Sequence, residues 1–249
     1  MSKPKYHQSM ILDALKCGLF FKFRHLDKIQ SPPNSSLTVG SVSDFTFNHI
    51  LSEKMNGRQV SSEEAKDLAS SEFEKRKGST QWDEDAGVMK NVTIKIVETF
   101  LSKVAPGIFP ISVQESFTLE TENYFLGGTL DYRQADGLIG DAKTASPQRV
   151  SSYSVSYSLQ PAMYWWAIEQ ITGKAPTKFR FDIITRVTNK TPEYKPVEGI
   201  VTQNDIEDLF YAINRVNKMV QSGIFLPAAE GAWWCSKKWC PFWNQCKGR

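Results

Sequence analysis

The sequence predicts an α/β fold in which a small mixed β-sheet is flanked by helices. Three observations carry this. Residues 127–144 have the form of a β-hairpin, two runs with Leu, Ile, Thr and Tyr around Gln134-Ala135-Asp136-Gly137, and Asp-Gly marks a tight turn. Residues 111–126 alternate through Val113, Glu115, Phe117 and Leu119, the period of a strand. Apolar stripes at helical spacing lie before and after these strands, at 9–23, 83–104 and 205–221.

Taken in order, Ser9 to Phe23 reads as a helix with Ile11, Leu12, Leu15, Leu19 and Phe23 on one stripe and Ser9 as N-cap. Residues 30–38, with Ser31-Pro32-Pro33-Asn34, read as a loop. A second helix is expected from Ser41 to about Met55. Residues 57–80 are polar and charged and predict an exposed helix, then a loop at Gly78-Ser79-Thr80. The helix of 83–104 uses Val88, Val92, Ile96, Val97, Phe100 and Leu101 and ends at Pro106-Gly107. Strands are expected at 111–119, 124–134 and 138–145. A Ser-rich stretch, 146–158, leads to a helix through Gln160, Tyr164, Ala167 and Ile171 with Gly173 as its C-cap. Strands near 179–187 and 194–201 then frame a loop, and a helix from Asp205 to Gln221 is capped by Gly223.

The hairpin holds the chemistry. Asp141 and Lys143 point the same way along their strand. A two-residue loop would put Asp131 opposite Gly140, on the other face. A three-residue loop of Ala135, Asp136 and Gly137, with Gly137 at positive φ, pairs Asp131 with Asp141. We adopt the second register, which sets two carboxylates roughly 5 Å apart with a lysine beside them. So close a pair repels, and one carboxyl stays protonated unless a cation is present. Either each aspartate solvates an exposed face, or a divalent cation neutralises both; Mg²⁺ or Mn²⁺ suits such oxygen ligands.

Bulk properties are those of an ordinary globular protein: 41% hydrophobic, 23% charged and a formal charge of +3 over 249 residues. That charge is too small to diagnose a nucleic-acid binder, so DNA contact must rest on local clusters, such as Lys22/Arg24, Lys75-Arg76-Lys77, Lys237-Lys238 and Lys247/Arg249. No signal peptide opens the sequence and no apolar run approaches a membrane span, so a cytoplasmic location without a membrane partner is expected. The length suits one elaborated domain or two. We read one, 1–249, with a mainly helical part at 1–110, a sheet core at 111–201 and a C-terminal helix and cysteine tail at 202–249.

Asp131, then Asp141-Ala142-Lys143, then Gln160 with Tyr164 four residues on, resembles the PD-(D/E)XK nucleases, and most closely their RecB-type exonuclease branch, whose pattern is Gly-x-x-Asp, Asp/Glu-x-Lys and Gln-x-x-x-Tyr. The resemblance implies Asp131, Asp141 and Lys143 as catalytic residues, Asp131 and Asp141 also holding Mg²⁺ or Mn²⁺, with Gln160 and Tyr164 bordering the metal and holding substrate. In that branch a Gly-x-x-x-His motif supplies a further ligand. Here Gly40-Ser41-Val42-Ser43-Asp44 puts Asp44 in its place, as a metal ligand or as a first-turn acid favoured by the helix dipole. His49 falls on another face and reads as a surface or core histidine. Glu115 is an extra acid on the strand before the hairpin, or an edge-strand glutamate.

Four cysteines are present: Cys17, and the tail trio Cys235, Cys240 and Cys246 spaced C-x4-C-x5-C. Together they satisfy a four-thiolate site with none to spare, and ligand type alone leaves iron–sulfur and zinc open. The same branch includes CRISPR-adaptation exonucleases and the AddB nuclease subunit. There one N-terminal and three C-terminal cysteines hold a [4Fe-4S] cluster that joins the chain ends, and the resemblance implies that cluster here, with zinc as the alternative occupant. The implied function is metal-dependent hydrolysis of DNA that is single-stranded or has free ends, as an exonuclease in recombination, replication or repair of a phage, virus or prokaryote, beside recombination or replication proteins. The rivals are a non-catalytic DNA-binding module on the same fold and a structure-specific endonuclease.

Overall fold

The structure, a computed structural model, describes residues 3–156 and 158–246. Lys247 and Arg249, one of the basic clusters noted above, lie outside them. In chain order the elements are β1 (Lys5–His7), α1 (Gln8–Lys16), α2 (Gly18–Phe21), α3 (Ser35–Met55), α4 (Ser62–Lys77), α5 (Ala86–Thr99), β2 (Pro110–Glu120), β3 (Phe125–Gln134), β4 (Leu138–Ala145), α6 (Pro147–Val150), α7 (Leu159–Thr172), β5 (Lys178–Thr185), β6 (Tyr194–Gly199), α8 (Gln203–Ser222) and α9 (Trp243–Cys246). Wider π-type turns follow α2 at Lys22–Leu26 and α5 at Phe100–Val104. Among the described residues no helix is long and apolar enough to cross a membrane.

The chain divides into two compact units. One comprises Met1–Ser31, Phe117–Gly128 and Gln203–Arg249, the other Pro32–Ser116 and Thr129–Thr202.

In the first unit β1 runs parallel to the start of β3, Lys5 opposite Phe125 and His7 opposite Gly127. Nothing in the sequence marks so short a strand; it exists because Tyr6 is buried and its hydroxyl donates to Asn217 of α8 at 3.0 Å. The expected single helix over 9–23 is instead broken at Cys17, whose backbone is extended (φ −166°, ψ 115°). The Cys17 sulfur accepts from the Phe20 amide at 3.4 Å and so starts α2. The break lets Gly18 meet the backbone of Leu226, where an added Cβ would lie 2.8 Å from a carbonyl oxygen. Ser9 is not the cap; the N-cap position is His7, which makes no capping side-chain bond.

In the second unit the sheet order is β3–β4–β5–β6, with β2 alongside β3. The β3–β4 and β5–β6 pairs are antiparallel and β4–β5 is parallel, so the sheet is mixed. Tyr132 faces Gly140 and Arg133 faces Ile139. This is the three-residue register; one step on, it brings Asp131 against Asp141. Gly137 has φ +87°, a left-handed conformation that costs glycine nothing and explains why the turn ends on it. One face of the sheet carries Tyr132, Leu138, Ala142 and Ile184 into a core built with Val39, Phe47, Phe73, Ile96 and Phe100 from the α3–α5 region. The opposite face therefore presents Asp131, Asp141 and Lys143.

The second helix begins at Ser35 rather than Ser41. The Asn34 side chain accepts from the Leu37 amide at 2.9 Å and caps it, straight after the two prolines that end the loop. α4, α5, α7 and α8 match the expected spans within a few residues, whereas the single turns α6 and α9 fall where no helix was expected; Gly173 and Gly223 close α7 and α8 with left-handed φ of 70° and 68°.

Candidate active site

All residues of this site belong to the second unit. Asp131 and Asp141 are 8% and 1% exposed. Asp131 is held from two sides: its Oδ2 accepts from the Ala142 amide at 2.8 Å and its Oδ1 from the Gln114 side chain at 3.3 Å. Asp141 Oδ1 accepts from Gln160 Nε2 at 2.8 Å, and the same amide reaches the Tyr164 hydroxyl at 3.4 Å. The buried Oδ2 of Asp141 has no hydrogen-bond partner among the described residues. The Lys143 ammonium lies 2.6 Å from it as a close ion pair.

Electrostatics join these groups to α3. Burial pushes the Asp131 carboxyl well above the usual carboxylate range, and the charges of Asp141 and Asp44 push it further. Burial raises Asp141 too, against the pull of Lys143 and Gln160. Asp44 is raised by burial and by Asp141, with Lys143, Asn48 and Arg76 opposing. Burial alone would lower Lys143, yet Asp141 and Asp131 outweigh it and keep the ammonium charged. Tyr164 is pushed up to about 12 by burial and then by Asp141. Three carboxylates thus share one lysine's charge, a costly arrangement in a low-dielectric site. No three His, Cys, Asp or Glu side chains among the described residues are gathered closely enough to enclose an ion as they stand.

Thus Asp141, Lys143, Gln160 and Tyr164 are joined by direct contacts, Asp131 lies beside them on the hairpin, and Asp44 is within reach of their charges. Glu115 does not join them. Both its oxygens are engaged by Arg133, at 2.7 and 3.1 Å, and Ser112 donates to it at 2.6 Å. Its neighbour Gln114 turns to Asp131 instead, through a left-handed backbone (φ +52°) that redirects the strand. Period-two alternation carries no sign of such a reversal, so sequence reasoning passed over Gln114. His49, expected on another face, and Arg76, noted in the sequence as part of a basic cluster, line a cavity with Asp44.

The four cysteines lie in the first unit and are free thiols. All four line one narrow apolar cavity with Phe20, Phe23, Phe242 and Trp243. Burial raises the Cys240 thiol, and the charges of Cys17, Cys235 and Cys246 add to it; as they stand, no three of the four are gathered closely enough to enclose an ion. Phe242 is packed against Phe20 and Phe23 at ring distances of 5.0 and 5.8 Å.

The structure is similar to a crystal structure from Eubacterium rectale named "Putative exonuclease", with a TM-score of 0.64 at 14% identity over 92% of this chain and 86% of the other. At that identity the likeness is one of fold. A second solved structure, named SSO0001, is 12% identical over 96% of this chain and 94% of its own, but its TM-score of 0.36 is too low to support a shared fold. No curated protein matches the sequence. The sequence profile of the PD-(D/E)XK nuclease superfamily matches residues 8–247, a span that takes in the hairpin, Gln160, Tyr164 and all four cysteines. The chain belongs to the PD-(D/E)XK nuclease superfamily.

Proposed function

We propose that the protein is a Mg²⁺- or Mn²⁺-dependent deoxyribonuclease that hydrolyses phosphodiester bonds, acting as an exonuclease. The observation that carries this is the hairpin geometry: the register that sets Tyr132 opposite Gly140 brings Asp131 to the Ala142 amide beside Asp141, with Lys143 2.6 Å from Asp141 on the same face. Asp131, Asp141 and Asp44 offer the oxygen donors that a hard divalent cation takes, and the buried Oδ2 of Asp141, which among the described residues faces only the Lys143 ammonium, is a fitting ligand atom. When bound, the ion supplies Lewis acidity at the scissile phosphate and lowers the pKa of water from 15.7 toward neutrality. Lys143 holds its proton at Nζ under the influence of Asp141 and Asp131. It donates to the phosphate oxygens as negative charge grows there, and helps to orient the attacking water. Gln160 fixes the Asp141 carboxylate by its 2.8 Å bond, and Tyr164 backs that amide.

The four cysteines support a place in the RecB-like branch with a [4Fe-4S] cluster. Four free sulfurs around one cavity, shielded by Phe20, Phe23, Phe242 and Trp243, are a donor set for such a cluster or for a structural zinc. In this reading the chain 1–249 is one nuclease domain of a cytoplasmic prokaryotic or viral protein, working on DNA with free ends during recombination, replication or repair. A time course on end-labelled linear and circular DNA, with Mg²⁺, Mn²⁺ or EDTA, tests the reaction. Metal-dependent loss of label from linear DNA alone is expected, and its absence in folded Asp141→Asn and Lys143→Ala proteins. Cleavage at the wild-type rate in either variant would remove that residue from the site.

A further inference from the structure

Asp44 and Gln114, whose side chain donates to Asp131 at 3.3 Å, line a cavity of about 510 Å³ in the second unit, together with Phe45, Asn48, His49 and Arg76 among others. Its size is within the roughly 300–1,000 Å³ usual for small-ligand sites. Two of its residues have no part in the hydrolysis described above. Arg76 closes α4 between Lys75 and Lys77. Its Nε donates to Glu72 at 2.7 Å, and Glu72 is only 9% exposed. The guanidinium is thereby fixed at one edge, while its terminal nitrogens make no hydrogen bond among the described residues. Phe45 directly follows Asp44 on α3 and is 40% exposed, an aromatic face in an otherwise polar wall.

We propose that this cavity seats one nucleotide of a single-stranded nucleic acid, its base stacked on Phe45 and its phosphate held by Arg76. The proposal rests on the nuclease reading and names its substrate class. A planar guanidinium anchored through Nε presents the fork that matches a phosphate. A base inside a duplex already has neighbours on both faces, so a side-chain ring is open only to an unstacked base. Because Phe45 adjoins Asp44, the seated nucleotide is next to the bond to be cut. Asn48 and His49 add polar side chains that accommodate any base, so little sequence preference follows.

The test is fluorescence anisotropy of the intact protein in EDTA with a labelled oligo-dT and with its duplex. Wild type should prefer the single strand. Phe45→Ala should weaken single-strand binding about 5- to 150-fold, the equivalent of the ~1–3 kcal/mol of one base–aromatic stack, and leave duplex binding and the salt dependence unchanged. Arg76→Gln should reduce the slope of log K against log salt by about 0.7, the value for one phosphate contact on a single strand. Arg76→Lys keeps the charge and should restore the slope, which separates phosphate binding from a defect in α4. Wild-type affinity in Phe45→Ala, an unchanged slope in Arg76→Gln, or a preference of wild type for duplex would each overturn the proposal. If the proposal fails while linear DNA is still cut with Mg²⁺ or Mn²⁺, the hydrolytic reading stands. Binding that depends on Phe45 without any metal-dependent cleavage would sink the hydrolytic reading instead.

Discussion

Gly140→Ala should be among the most damaging single-atom additions in this protein. Gly140 faces Tyr132 across the hairpin, and a Cβ built on it would fall inside the Tyr132 ring, against Cζ, Oη and Cε1. The ring cannot swing away freely, since Tyr132 is wholly buried. Its hydroxyl also donates to the buried Asp182 and accepts from Arg180 at 2.8 Å. Tyr194 donates to Asp182 at 2.6 Å and Arg180 lies 2.8 Å from the same carboxylate, so the tyrosine belongs to a network with no slack. Overpacking a dense core costs about 1–3 kcal/mol, and losing a hydrogen bond to a charged group about 1.5–3 kcal/mol. The expected sum is therefore ~2.5–6 kcal/mol, or roughly 5–24 °C in Tm at about 2–4 °C per kcal/mol for a chain of this size. Thermal and guanidinium unfolding measure it. The double variant supplies the stricter check: once Tyr132→Ala has removed the ring, adding Gly140→Ala should cost less than about 0.5 kcal/mol, because the atoms it struck are gone. Additive costs, or a Tm within a degree of wild type for Gly140→Ala alone, would refute the reasoning.

Asp44→Ala should raise the Mg²⁺ or Mn²⁺ concentration needed for half-maximal cleavage, whereas Asp44→His should keep activity with Mn²⁺; a metal titration that superimposes on wild type would return Asp44 to a helix-surface acid. Protein purified without oxygen should be brown with about four irons per chain, and Cys17→Ala, Cys235→Ala, Cys240→Ala or Cys246→Ala should each lower both iron content and Tm; one zinc on a colourless chain would replace the cluster assignment. Glu72 gives a pH test: burial pushes its carboxyl up, but the bond and charge of Arg76 outweigh that and hold it below its ordinary value. A depressed folded pKa stabilises above the unfolded value, roughly 4.3, and that contribution disappears as pH falls through the folded pKa. The stability difference between wild type and Glu72→Gln should therefore be constant above about pH 5 and shrink below pH 4, and a difference that persists undiminished to pH 2 would show that the ion pair contributes nothing.

What the sequence determines by itself is whatever a few neighbouring residues decide. The hairpin is such a case: Asp136-Gly137 marks its turn and alternation puts Asp141 and Lys143 on one face, while the choice between two loops, and with it the face of Asp131, was settled by the pairing of Tyr132 with Gly140. Gln160 and Tyr164 share a face through helical spacing alone, and Gly173 and Gly223 end their helices through the one conformation that glycine enters freely. Tertiary structure decided the rest. No local pattern places β1, which exists because Tyr6 reaches Asn217. Nor does one break the first helix at Cys17, where Gly18 must admit the Leu226 backbone. Glu115 could be read as an extra acid or an edge-strand glutamate, and Gln114 drew no notice. A single left-handed residue exchanged their roles, sending the glutamate to Arg133 and the glutamine to Asp131. Asp182 read as an ordinary strand residue, yet it is the buried acceptor for two tyrosines and an arginine. Local preference is worth tenths of a kcal/mol to about one per residue, whereas an unpartnered buried charge costs several. Where the two conflict, the partner found far along the chain decides where the side chain goes.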